Sequence, residues 1–197
     1  MLKNTLMGRA MDTAFKVLRS AIVKPMPYVA GAWYILAPKA TGTTQVAVAD
    51  RIELYPQPVA EDVNFDRLAI GLSALAAGNA KVIVYSADPV TGRPANLLYE
   101  TSDIDTNANL EAIATIAGRF QAGRVYWFGA RFSGTPTYRA IPAGDMPSIS
   151  TASIANANGL TCIRTTLAYA TATPATWTWN DAHLMAVSCI RVGFRAA

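Results

Sequence analysis

Histidine occurs once in this 197-residue chain, cysteine twice, and charged residues make up only 15% of it. Each scarcity removes a class of function. A Ser-His-Asp or Cys-His catalytic set needs an imidazole beside its nucleophile. The single imidazole, His183, follows Trp177, Trp179 and Asp181 in what reads as the end of a loop. Two cysteines do not make a disulfide scaffold. Cys162 and Cys189 read as buried free thiols of a protein assembled in a reducing cytoplasm, and the sequence leaves open whether they meet. There is no glycine-rich phosphate loop and no Cys/His cluster with zinc spacing. Nor is there a run of about 18 uncharged apolar residues, so the expectation is a soluble chain with neither a membrane span nor a removable signal. The net charge of +4 is modest and scattered, apart from Lys3, Arg9, Lys16, Arg19 and Lys24 set against Asp12, which argues against nucleic acid as the main partner.

What the chain has is apolar residues, 52% of the total, enough to require an extensive core. Over residues 2 to about 23 they fall at helical spacing. Leu2, Leu6, Met7, Met11, Ala14, Phe15, Leu18 and Ile22 share one broad face, and Lys3, Arg9, Lys16 and Arg19 lie mostly off it. Pro25 and Pro27 end this amphipathic helix, because proline lacks an amide hydrogen and restricts the residue before it. An isolated helix of this length is marginal in water, so its apolar face must dock on something. A membrane surface is disfavoured by the small charge excess and the absence of tryptophan from the segment. Leu6, Met11, Phe15, Leu18 and Ile22 are the candidate docking residues, toward the body, sister subunits or a neighbouring protein.

From Tyr28 onward the pattern changes to period two, broken by turn residues at short intervals, as in a β-sandwich or jelly roll. Leu68, Ile70 and Leu72 alternate with Arg67, Ala69, Gly71 and Ser73, and Val82 and Val84 alternate with Lys81, Ile83 and Tyr85. Further strands are expected over 33–37, 49–55, 97–101, 110–116, 125–132, 161–167 and 184–194, about nine in all. Ala77-Gly78-Asn79 and Asn156 to Gly159 have turn chemistry, Asp88 to Pro94 reads as a longer loop, and 147–158 and 170–176 read as surface loops or subunit contacts. The fold class expected is all-β, an antiparallel, jelly-roll-like β-sandwich over residues 29–197, preceded by an N-terminal amphipathic α-helical arm over 1–28 that serves attachment or oligomerisation.

Three stretches carry a family resemblance: Phe65-Asp66-Arg67-Leu68-Ala69-Ile70, Ala76-Ala77-Gly78-Asn79-Ala80-Lys81-Val82-Ile83-Val84-Tyr85, and Gly92-Arg93-Pro94-Ala95-Asn96-Leu97-Leu98. Together with Gln121-Ala122-Gly123-Arg124-Val125-Tyr126-Trp127 and Gly134-Thr135-Pro136-Thr137, they make residues 30 to 197 resemble a jelly-roll module of tailed-phage tail-fibre, head-fibre and spike proteins. The resemblance implies a virion appendage assembled in the host cytoplasm, commonly a homotrimer, that contacts other virion proteins and in some members host surface glycans. It carries over no catalytic residue and no cofactor. The helical arm departs from the module.

Twelve acids of the body, among them Asp66, Glu100 and Glu111, offer pairs for glycoside hydrolysis, but no pair is marked out by spacing. Asp103-Ile104-Asp105-Thr106-Asn107-Ala108-Asn109 places oxygen-bearing side chains at alternate positions, as a calcium loop does. It has Ala108 where the turn needs glycine and Ala114 where the bidentate glutamate belongs, so Asx turns explain it better. The densest group of binding-type side chains lies between Arg119 and Arg139. Alternation puts Tyr126, Phe128, Ala130 and Phe132 on one strand face and Val125, Trp127, Gly129 and Arg131 on the other. Aromatic faces stack on sugars and arginines reach acidic groups, so Arg131, Tyr138 and Arg139, with Trp177 and Trp179, are the candidate glycan-binding residues. The function expected is a non-enzymatic structural protein of a phage virion. A carbohydrate-binding receptor tip is the alternative, and a polysaccharide-degrading spike comes third.

Overall fold

The computed structural model describes residues 27–35, 42–145, 161–185 and 187–197. The expected helix over 2–23, with Leu6, Met11, Phe15, Leu18 and Ile22, lies outside these residues, as does the expected loop at 147–158. The described chain is all-β, in two antiparallel sheets that face each other as a sandwich, with helix limited to the single 3-10 turns Ala143–Asp145 and Asp181–His183.

In the first sheet β1 (Trp33–Ile35) pairs with β14 (Val192–Ala196), and β14 with the long β4 (Val63–Ala74). The other flank of β4 pairs with β8 (Glu111–Phe120), while the end of β4 meets β10 (Thr137–Ile141). Both β2 (Thr43–Val46) and β13 (Cys189–Ile190) pair with β10. The second sheet runs β12 (Leu184–Met185), β11 (Cys162–Thr166), β3 (Arg51–Pro58), β9 (Val125–Phe132), β5 (Asn79–Ala87) and β6 (Pro94–Glu100), with β7 (Ile104–Asp105) also on β5.

Period-two patterning builds the space between the sheets. Leu68, Ile70 and Leu72 of β4 point inward against Val82 and Val84 of β5 and Phe128 and Phe132 of β9. At the other end Phe65 stacks on Phe120 with ring centroids 4.4 Å apart, and Phe194 packs edge-on against Phe120 at 5.5 Å. Each such side chain contributes roughly 1.5–3 kcal/mol by leaving water. A register shift between Phe65 and Arg67 changes which residues of β4 face inward, from Val63 and Phe65 to Leu68, Ile70 and Leu72. Asp66 is left on the outer face, where its carboxylate accepts both Nε–H and Nη2–H of Arg195.

The expected strand over 184–194 is three short pieces, β12, β13 and β14, which serve different neighbours in different sheets. The turn at Ala77-Gly78-Asn79 joins β4 to β5 as expected. Gly78 has φ +132, and a Cβ there would stand 2.9 Å from the Gly134 amide nitrogen, so the position accepts only glycine.

The second sheet is buried on both faces. Ile52, Leu54, Ile83, Tyr85 and Trp127 point away from the sandwich interior and form a second apolar cluster with Ile163 and Trp177. The cover is the segment 167–184. It folds back over β9 and β5, held by backbone bonds from the Leu97 amide to the Ala175 carbonyl at 2.9 Å and from the Trp177 amide to the Ala95 carbonyl at 2.7 Å.

Tyr28 packs on the edge of the first sheet. Its ring packs at 4.7 Å against Tyr34 and at 5.5 Å against Phe194, and the Val29 amide donates to the Tyr34 hydroxyl at 2.6 Å.

Candidate binding site

The five side chains expected to bind glycan are distributed over three places. Arg131, Trp177 and Trp179 lie on the outer side of the second sheet, beneath or within the cover. Tyr138 points into the sandwich, and Arg139 points out of the first sheet.

Arg131 is fully buried and holds the cover down. Its guanidinium donates to the Ala168 carbonyl at 3.2 Å, the Thr171 carbonyl at 2.8 Å and Thr173 Oγ1 at 3.2 Å, and stands 3.5 Å from Glu100. The Thr173 hydroxyl in turn donates to Glu100 at 2.5 Å. Beside it, the Tyr169 hydroxyl donates to Asp103 at 3.0 Å, and burial together with that carboxylate raises the phenol's pKa. A buried charge is tolerable when paired and hydrogen-bonded on several sides, which describes a structural cation. Trp177 packs edge-on against Tyr85 at 5.4 Å and is buried. Trp179 keeps part of its surface in solvent, stacked under the Arg93 guanidinium at 4.5 Å and donating to Asp181 at 2.5 Å. Trp127, opposite Trp179, donates from Nε1 to the Gly92 carbonyl at 2.9 Å and fixes the expected loop at 88–94.

Tyr138 belongs to a buried polar network. Its hydroxyl donates to Glu53 at 2.8 Å and lies 3.0 Å from the Gln45 side chain, while Arg51 reaches Glu53 at 2.6 Å and Arg164 reaches it at 3.1 Å. Burial first, and then the Glu53 charge, raise the Tyr138 pKa well above 10.0.

The remaining sequence candidates fall into simple roles. In the 103–109 segment the Asn107 amide donates to Asp105 at 2.8 Å, an Asx turn, and the Thr106 hydroxyl reaches the carbonyls of Ala76 and Gly78, each at 2.9 Å. Among the described residues no three His, Cys, Asp or Glu side chains gather as metal ligands. Nε2 of His183 lies 3.4 Å from the Thr165 hydroxyl, while the neighbouring Asp181 accepts from Trp179. Cys162 and Cys189 are free and fully buried. They are neighbours, because Thr161 donates to the Val187 carbonyl at 2.9 Å and Arg164 to the Ser188 carbonyl at 3.0 Å, and the Cys189 thiol itself reaches the Val187 carbonyl at 3.6 Å. Burial pushes the Cys189 thiol well above its ordinary value.

An open concave surface lies elsewhere, on the outer face of the first sheet. A groove of about 430 Å³ runs over β14 and β4, with Trp33 and Ile35 of β1 along one side, Glu111 and Ile113 of β8 along the other, and Arg139 and Arg191 at one end. That volume is in the range of small-ligand sites. Its floor is low because Gly71 and Gly193 carry no side chain. The stem of Arg139 lies over Gly71, its Cδ 3.3 Å from where a Cβ would be, and the Trp33 ring edge lies 3.9 Å from the same point on Gly193. Arg139 was among the expected site residues, but Trp33, Arg191 and Glu111 were not. The available signal was glycine inside two strand patterns, which marks a bulge or a close approach.

No protein-family model and no curated protein matches this sequence.

Proposed function

We propose that this chain is a non-enzymatic structural protein of a tailed-phage virion, a fibre, spike or other appendage built on a jelly-roll-like sandwich and attached through residues 1–28. One observation carries the reading: the segments that resemble the phage module contact one another as a single framework. The Ala77-Gly78 turn closes against Gly134, the Asn79 amide donates to the Ser133 hydroxyl at 2.7 Å, Trp127 ties down Gly92, and the Tyr126 hydroxyl accepts from the Gln121 amide at 2.8 Å. The stretch that follows the arm also exposes Val29, Val46 and Val48, apolar surface suited to neighbouring subunits in a homo-oligomer, with a trimer favoured by the resemblance, or to other virion proteins. The test is assembly. A chain lacking residues 1–28, supplied in place of the full chain, should fold and be left out of particles; normal incorporation would overturn the division of roles. A second reading, recognition of a host surface glycan, is favoured by the open groove on the first sheet.

A further inference from the structure

We infer that the groove on the first sheet binds a carboxylated sugar, such as a hexuronic or sialic acid residue, with Trp33 as the stacking platform and Arg139 and Arg191 as the carboxylate clamp. The assignment rests on the recognition reading and deepens it.

The arginines carry the charge argument. Among the described residues Arg51, Arg93, Arg119, Arg131, Arg164 and Arg195 each have a carboxylate partner. Arg67, Arg124, Arg139 and Arg191 have none, and of these four Arg139 and Arg191 line one cavity. Their strands are tied together there, the Arg191 amide donating to the Arg139 carbonyl at 3.1 Å, so the two side chains leave the sheet from adjoining positions. One carboxylate, Glu111, lines the same cavity and makes no ion pair with either arginine, so two like charges against one anion leave an excess of positive charge that favours an anionic ligand, and guanidinium forks fit carboxylate geometry.

The rest of the groove suits a sugar better than a free inorganic anion. Trp33 is 41% exposed although it is held at the sheet edge by pairing with Arg195, and it stands over a glycine floor that lets a flat ring approach the backbone. Glu111, across the floor and opposite Gly71 in register, supplies an acceptor for hydroxyl groups. An apolar face, an acceptor and two cationic donors around one cavity match the mixed surface of an acidic monosaccharide: a weakly polar ring face, hydroxyls and one carboxylate.

The test titrates the full chain with a galacturonic acid trisaccharide, a sialyl-lactose and the neutral galactose counterpart, read by ligand-observed NMR. Binding of an acidic probe over the neutral one is expected, weakening as salt is raised. Arg191→Gln and Arg139→Gln should each reduce it roughly tenfold or more, and Trp33→Ala should abolish it, in variants that keep the parent melting temperature. Arg124→Gln, removing an exposed arginine of the β8–β9 turn, controls for net charge and should leave binding unchanged. Equal loss with Arg124→Gln, or no acidic binding at all, overturns the assignment. Dissociation of an oligomer by Trp33→Ala also overturns it, because the groove would then be covered by a second copy. Adsorption to host cells that survives all three groove substitutions rejects this site and leaves the recognition reading standing. Absence of any adsorption rejects both.

Discussion

The Tyr138 hydroxyl donates to the Glu53 carboxylate, 2.8 Å away, in the interior between the two sheets. An aromatic side chain that reads in sequence as a sugar platform thus hydrogen-bonds a buried anion whose charge Arg51 and Arg164 balance. Tyr138→Phe preserves the ring and removes the donor. It should cost about 1–3 kcal/mol, because a buried acceptor loses one of its partners. Urea unfolding should show a lower midpoint with an unchanged slope, and a midpoint equal to that of the parent would mean that the two arginines suffice.

The two tryptophans of the cover should separate cleanly. Trp177 is buried against Tyr85, so Trp177→Ala should lose about 3–5 kcal/mol through transfer and cavity terms. Trp179 is partly in solvent, and Trp179→Ala should lose only about 1 kcal/mol, from its stacking with Arg93 and its packing beside Trp127. Chemical denaturation of both variants checks the order. Equal losses would mean that the cover is not seated as described.

Alkali should unfold the protein from a definable point. Burial is the first cause that raises the phenols of Tyr55, Tyr85, Tyr138 and Tyr169 above their ordinary 10.0, aided by Glu100 at Tyr85, Glu53 at Tyr138 and Asp103 at Tyr169. A raised folded pKa means that the native state holds its proton where the unfolded chain has released it. The contribution is therefore complete below pH 10 and is lost as pH rises above it. Unfolding midpoints followed from neutrality past pH 10 should fall, and phenolate absorbance for these four residues should appear together with unfolding. Their ionisation in a still-folded protein would contradict the burial.

The long strands were legible because alternation is strong where one face meets a core. β4, β5, β8 and β9 all fall within or across the expected segments. β2, β7 and β10 were missed as strands: Thr43–Val46 and Ile104–Asp105 are short and largely polar, and Thr137–Ile141 follows a glycine- and proline-bearing loop that masks its start. Residues 184–194 read as one strand because hydrophobicity does not record which neighbour each half will pair with. The two-sided burial of the second sheet had a signal in the unbroken runs Val82-Ile83-Val84-Tyr85 and Tyr126-Trp127-Phe128, which mark strands covered on both faces. The identity of the cover had none, since 170–176 is rich in alanine and threonine and reads as an exposed loop. For the same reason the expected site residues divided: alternation assigns a strand face, but the tertiary cover decides whether that face is wet. The groove depends on residues from β1, β14, β4, β8 and β10, and their meeting is a property of topology rather than of local pattern.

The lid over the second sheet is encoded late. Ile83, Tyr85 and Trp127 leave the ribosome well before Trp177 and Leu184, which close over them. A nascent chain therefore carries a greasy, half-dressed slab until translation is nearly finished. Premature termination anywhere before that closing stretch should yield aggregates rather than a smaller soluble body.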